Sequence, residues 1–393
     1  MSKISYCFVE PLDVLLLRGN KHFGEPGSYG EALMPPWPSV AAGALRSRML
    51  ADDGVDISDF AAGRITHPSL GSPLKPGPFT ITGFHLARRY ADGTVEALFA
   101  LPADLTIIGD DTGKPAAIRE LRPTQVTAGL FLSSMPIARL PVLAEQKRSK
   151  PVSGYWLNEK GWKKYLAGRL PEIADIVSSS QLWSIDQRVG VGLDATTRRA
   201  AEGRLFSVQA VAFKQQVLLA DREYNTGFLV GVAGAELPKS GSLRMGGDGR
   251  SAVIHQAAVN ASVFEPDYEA IVRSGRCRLV LTSPGILPEG WLPIGAAKTG
   301  ENEYTFSLRS IKARLVCAAV PRAEVISGWN LAEEKPKPAL RAAPVGSVYW
   351  LEDLVASPAS LKALVSSGLW SEECEDPVRR AEGFNRFTLA EYK

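Results

Sequence analysis

Residues 243–250, Leu-Arg-Met-Gly-Gly-Asp-Gly-Arg, set Gly246, Gly247 and Gly249 between two arginines, Arg244 and Arg250. Glycines this close let the backbone turn through positive φ and leave the amides uncovered by side chains. Successive exposed N–H groups form a concavity suited to phosphate oxygens, and flanking arginines add charge and a bidentate fork. The same residues also fit a tight strand-to-strand turn whose arginines point to water. No Gly-Lys-Ser/Thr follows, so this is no nucleoside-triphosphate loop. No helix follows either, which excludes a dinucleotide fingerprint.

A second constellation spans 188–206. Gly190, Gly192 and Gly203 bracket Thr196, Thr197, Arg198 and Arg199, with Arg188 at one end and Arg204 at the other. Arginines around hydroxyls suit a hairpin or loop laid along a phosphate backbone. An ordinary surface hairpin with its charges turned outward fits as well.

Chemistry of other kinds finds little support. His22, His67, His85 and His255 show no metal-ligand spacing, and no GxSxG or HExxH motif occurs. Lys21 and His22 sit together in a basic loop. With Tyr29, such a pair would serve metal-independent RNA cleavage, one group taking the 2′-hydroxyl proton and another protonating the leaving oxygen. The plainer reading of His22 is a loop residue or a stacking contact. Asp52-Asp53 and Asp110-Asp111 are each closely followed by glycine and read as solvated turns. Cys7, Cys277, Cys317 and Cys374 lie far apart without a CxxC, against zinc and against a disulfide framework. The expectation is a cytoplasmic binding protein, not an enzyme, with no cofactor and no metal.

The elements that must position these residues follow from periodicity. Strand-like alternation runs from Ile4 to Leu17 around a break at Glu10-Pro11. Ser39 after Pro38 is a predicted N-cap, and Ala41, Leu45 and Met49 repeat at helical spacing behind it. Gly43 inside that helix costs roughly 1 kcal/mol relative to alanine, which points to close approach of another backbone or a ligand. Arg46 stands one turn beyond it. A hairpin is expected for 79–89 and 94–101 around Asp92-Gly93, and strands for 207–213, 227–233, 276–282, 314–325 and 346–351. A short helix is expected at 357–366. The pattern loosens from about 104 to 187, which reads as an insertion. A strand, helix and strands at each end fit an α+β chain of two ferredoxin-like modules, 1–262 and 270–393, with the glycine loop in the first.

With 45 basic and 42 acidic residues the net charge is only +3, so nucleic-acid binding must rest on local arginine clusters or on partner subunits. No uncharged apolar run approaches a membrane span.

Taken together, these segments resemble the RAMP superfamily of CRISPR proteins. Pro38-Ser39 with Ala42-Gly43-Ala44-Leu45-Arg46 is similar to its proline-serine-helix element, and residues 243–250 to its glycine-rich loop. Pro11-Leu12-Asp13 with Arg18, and Val191-Gly192-Leu193-Asp194 through Thr197-Arg198 to Glu202-Gly203-Arg204-Leu205-Phe206, resemble the subunit of type III-B (Cmr) effector complexes that caps the 5′ handle of the guide RNA. Thr282-Ser283-Pro284-Gly285-Ile286-Leu287, Pro344-Val345-Gly346-Ser347-Val348-Tyr349 and Gly383-Phe384-Asn385 extend the likeness over nearly the whole chain.

The resemblance implies two ferredoxin-like (RRM-like) modules, a long thumb-like insertion in the first, and a hetero-oligomer containing the large polymerase/cyclase-type subunit and the first backbone RAMP subunit. It also implies a non-catalytic role, with RNA held by Lys21, His22, Ser39, Gly43, Arg46, Arg188, Thr196, Thr197, Arg198, Arg199, Arg204, Arg244, Gly246, Gly247, Gly249 and Arg250. A RAMP endoribonuclease that processes the guide precursor and a purely structural protein–protein cap are the alternatives.

Overall fold

The computed structural model describes residues 3–17, 29–125, 136–145, 150–194, 196–330 and 333–392, apart from the side chains of residues 29, 202 and 203. Lys21 and His22 lie outside the described residues. The fold is α+β, built from antiparallel sheets with few helices, and it divides into two compact units of interleaved segments. Unit 1 comprises Met1–Val95, Ser179–Ala258 and Val325–Leu340; unit 2 comprises Glu96–Ser178, Val259–Glu324 and Arg341–Lys393.

In unit 1, strand β1 (Ile4–Pro11) is followed by the short β2 (Tyr29–Gly30), helix α1 (Pro38–Asp52) and β3 (Thr80–Tyr90). Then come β4 (Trp183–Leu193), β5 (Ala200–Phe213), β6 (Arg222–Ala233), β7 (Ser240–Arg244) and β8 (Ser251–Gln256). Strands β3, β6, β1, β8 and β7 form one antiparallel sheet in that order. Its register pairs Phe8 with Leu229 and with His255, and Leu243 with Ala252. Cys7, Val9, Val230, Val232, Ile254 and Ala252 are buried within it. Helix α1 lies against β3 and β7. The spacing that predicts the helix also names its inner face, since Ala41, Leu45 and Met49 are all buried.

Unit 2 carries a six-stranded antiparallel sheet, in the order Ala296–Gly300, Glu303–Leu308, Ile311–Ala319, Val348–Val355, Cys277–Leu281, Phe387–Glu391. One of its faces, with Leu279, Phe306, Leu315, Tyr349 and Leu389, packs into an apolar cluster with Ile271, Leu361 and Leu364 from the helices Tyr268–Ser274 and Pro358–Ser367. Two of the resemblance motifs meet here. Buried Asn385, at φ +57°, accepts the Ile286 N–H at 2.6 Å and donates to the Leu369 carbonyl at 2.9 Å. At Gly346, φ is +87° and a Cβ would stand 2.8 Å from the Leu101 carbonyl oxygen, so only glycine fits that turn.

Candidate nucleic-acid interface

The elements that carry unit 1's candidate residues are tied to one short stretch, 14–17, the hairpin at its base and its tip arginines further along the strands. After the bend at Leu12 and Asp13, Leu15 exchanges two backbone hydrogen bonds with Val211 of β5, at 2.9 and 2.8 Å. The Leu16 carbonyl accepts the Gly247 N–H at 2.8 Å, and the Leu17 carbonyl accepts the Leu33 N–H at 2.7 Å. Leu15, Leu16 and Leu17 are buried, and Val14 and Leu16 join Val208 and Ala210 in an apolar cluster. Burial holds the stretch and its backbone groups do the tying. The β4–β5 hairpin, the glycine loop and the lead into α1, distant in sequence, are thus fixed to adjacent residues. Sequence reasoning missed this hub. Four consecutive apolar residues, where a half-buried strand would alternate apolar and polar, were the available sign.

The glycine loop joins β7 to β8. Gly246, Asp248 and Gly249 have φ of +77°, +56° and +62°. A Cβ on Gly246 would stand 2.9 Å from the Leu16 carbonyl oxygen, so the close approach requires glycine there. The N–H groups of Met245 and Gly247 are spent within the protein, on Arg250 and Leu16. Arg250 donates from Nη1 to Asp13 Oδ2 at 2.8 Å, while its Nε is buried without a hydrogen-bond partner. Arg244 is exposed, and its guanidinium has no partner among the described residues. Its Cδ lies 3.8 Å from where a Cβ on Gly249 would be.

Helix α1 begins two residues earlier than predicted, its N-cap at residue 37 instead of 39. Trp37 is the N-cap, at φ −68° and ψ 149°, with no side-chain cap bond, and Pro38 is the first helical residue. The ring of Pro38 presets helical φ, its missing N–H needs no partner at that position, and it forces the preceding residue to be extended. Ser39 is therefore a half-buried residue of the first turn and not the cap. Gly43 is exposed, and apart from its chain neighbours and its own helix backbone no described atom comes within 4 Å of a Cβ built on it, so its close approach is not supplied by the described chain. Arg46 sits over the Phe79 ring, 5.2 Å from the centroid. Arg48 bonds Asp52 at 2.7 Å and the Ser242 carbonyl, passing over Gly241, which pins α1 to β7.

The second constellation is a long hairpin, β4 paired with β5 from Trp183↔Phe213 to Leu193↔Ala200. Two of its glycines make room for partners across the strands. The Phe206 ring lies over Gly190, and the Arg204 stem over Gly192. At the tip, Asp194 Oδ1 accepts the Thr197 N–H at 2.7 Å, the Thr197 hydroxyl at 2.9 Å and the Thr196 N–H at 3.0 Å. These bonds, that of the Thr197 N–H foremost, hold the Asp194 carboxyl below its usual range. The two threonines therefore build the turn. Arg198 takes φ +53° to close it, with its N–H on the Asp194 carbonyl at 2.8 Å. Arg188 is engaged by Asp186 at 2.9 Å. Arg198, Arg199 and Arg204 are exposed with no partner among the described residues. The backbone of Tyr29 pairs in parallel with Ser207 at the base of the hairpin.

Among the described residues no three His, Cys, Asp or Glu side chains come together as metal ligands. Burial pushes the thiols of Cys7, Cys277 and Cys317 up to about 12 and the His85 imidazole down to about 4. No helix of the described residues is long and apolar enough to cross a membrane.

Comparison with known proteins gives a family match over nearly the whole chain. A family model described as CRISPR-associated protein (Cas_Cmr3) matches residues 7–387. No curated protein matches. Among solved structures, a chain from a type III-B Cmr-beta complex bound to cognate target RNA and AMPPnP is 14% identical, with a TM-score of 0.47 and 98% of each chain covered. A chain from the complex bound to cognate target RNA is 14% identical, with a TM-score of 0.43, covering 88% of this chain and 86% of that one. A chain from the apo state is 15% identical, with a TM-score of 0.25, covering 64% and 96%.

Proposed function

The chain belongs to the Cas_Cmr3 family of CRISPR-associated proteins, a Cmr-complex subunit, and from that premise we propose that it is the non-catalytic subunit that holds the 5′ handle of the guide RNA in a type III-B effector complex. In this reading it joins the large polymerase/cyclase-type subunit to the first backbone subunit, in cytoplasmic defence against foreign RNA. The sheet of unit 1 with α1, and the six-stranded sheet of unit 2 with its helices, are the two ferredoxin-like modules. Residues 104–187 are the thumb-like insertion of the first.

The observation that carries the proposal is the tie at 14–17, which brings the arginine hairpin and the glycine loop to neighbouring residues. Four exposed guanidiniums accompany them, Arg198, Arg199, Arg204 and Arg244, that no described carboxylate neutralises. Unpaired surface arginines on fixed backbone suit phosphates, whose contacts set register and affinity, while splayed bases supply discrimination. Arg188 and Arg250, each engaged by an aspartate, must exchange that partner to take part.

The test uses the assembled complex with guide RNA. Replacing Arg198, Arg204 or Arg244 with alanine lowers guide retention and flattens its log–log salt dependence by about 0.7 per lost phosphate contact. In the same preparation, repeat-containing RNA in EDTA stays intact. Unchanged RNA occupancy across all three variants in a folded, assembled complex would overturn handle binding. Site-specific cleavage lost on His22→Ala would move the chain to the endoribonucleases.

A further inference from the structure

We propose that Asp13 is a carboxylate stand-in for guide phosphate, holding Arg250 in the free chain and leaving it when RNA enters; this rests on the handle-binding reading above. The two residues are far apart in sequence, yet Arg250 Nη1 meets Asp13 Oδ2 at 2.8 Å. The backbone on both sides is fixed. The Leu12 N–H bonds the Ser251 carbonyl at 3.1 Å, Pro11 pairs with Ala252, and Leu15 is locked to Val211. What can move is the Asp13 side chain, 55% exposed, and the pair it makes with a 29% exposed arginine is easily exchanged.

The surroundings suit an anion. Arg250 offers one Nη1 bond to Asp13, and a guanidinium carries five N–H donors. Arg244, unpaired among the described residues, passes beside Gly249, its Cδ 3.8 Å and its Nε 4.0 Å from where a Cβ on that glycine would stand, and Arg250 is the next residue in the chain. A phosphodiester entering there meets both forks. It also meets the Asp13 carboxylate, a like charge at contact distance, so phosphate and Asp13 compete for Arg250. Asp13 thereby weakens binding to any phosphate chain and leaves tight retention to RNA that also engages the hairpin.

The experiment compares wild-type, Asp13→Asn, Arg250→Ala, their double variant, and Arg198→Ala, Arg204→Ala and Arg244→Ala as full chains, each first shown folded by circular dichroism. The probe is a labelled single-stranded RNA with the sequence of the guide's 5′ end. Asp13→Asn should tighten binding roughly two- to fivefold, the range of one exposed charge pair. The gain should shrink with added salt and vanish in the Arg250→Ala background. Unchanged or weaker binding by Asp13→Asn, while Arg244→Ala still weakens it, makes Asp13 a mere tie for the loop and overturns the inference alone. RNA binding indifferent to Arg244, Arg198 and Arg204 overturns the handle reading itself.

Discussion

At single residues, the division among the arginines decides what each can do. Arg188, Arg250 and Arg48 each face an aspartate, and Arg46 lies on the Phe79 ring. A residue's type and spacing identify all of these as basic, but only the folded chain separates engaged from open guanidiniums. Gly43 gives the sharpest single-residue test. It lies exposed inside α1 with no described atom beyond its own helix near its missing side chain. Considered as helix alone, Gly43→Ala should stabilise the protein by about 0.5–1 kcal/mol, because alanine loses less backbone freedom on folding. If RNA passes over that spot, the added methyl lowers guide retention. A higher melting temperature together with weaker retention, by thermal unfolding and a filter-binding assay, is the expected pair of results. A gain in stability with unchanged retention would remove α1 from the interface. Ser39 shows why such positions are hard to read in advance. A serine after proline has the chemistry of a cap, but Pro38 fits the first helical position better, and its ring makes Trp37 the extended residue.

At the scale of elements, glycines and turn formers between apolar runs marked the β7–β8 turn and made 188–206 a hairpin or loop, while of the β4–β5 strands only 207–213 was expected. What each polar residue does inside them was not legible. Thr196 and Thr197 have hydroxyls suited to reading RNA, yet Thr197 spends its hydroxyl, and both spend their N–H groups, on Asp194. A pH dependence follows. The folded carboxyl of Asp194 titrates below the usual value of about 3.9. Its contribution is therefore fully present above that value and is lost as pH falls through the lower, folded one. Titrating the chain with nitrogen-labelled threonine should show the Thr196 and Thr197 amide resonances moving together, with a midpoint below 3.9. Thr197→Val, which deletes the hydroxyl bond but keeps the shape, should raise that midpoint toward the ordinary value. A midpoint already at the ordinary value in the wild-type chain would mean that the tip is not held by this carboxylate.

For the molecule as a whole, strand periodicity located most strands of both large sheets, but it could not show how 104–187 is held. Strands there are short, and local hairpins are joined by distant partners; Leu105–Gly109 pairs with the neighbouring Pro115–Glu120 and also with Pro151–Val152 far along the chain. Within unit 2 the anchor is a buried polar cluster that no local pattern announces. Arg278, 2% exposed on a central strand, donates from Nη1 to Asp104 Oδ2 and Glu120 Oε1, both at 2.8 Å. Its Nη2 donates to the carbonyls of Tyr165 and Glu391, at 3.1 and 3.0 Å, and the guanidinium lies over the Tyr165 ring. The Tyr165 hydroxyl donates to Asp104 Oδ1 at 2.9 Å, while burial pushes the Asp104 carboxyl up against these bonds. Taking one partner from such a cluster leaves a charge buried and unpaired, which costs about 3–5 kcal/mol. Replacing both charges with apolar side chains of similar size is often close to neutral. Arg278→Ala should thus lower the urea midpoint strongly. Arg278→Met combined with Asp104→Leu should recover much of the loss, because Glu120, a third exposed, can turn to water. Non-additivity of this kind, read from urea unfolding of the single and double variants, identifies the cluster as a matched set. If the double variant instead falls by the sum of the singles, the two charges act independently, and the hold on 96–178 must come from its apolar contacts, such as Phe99 stacked on Trp162 with ring centres 4.4 Å apart.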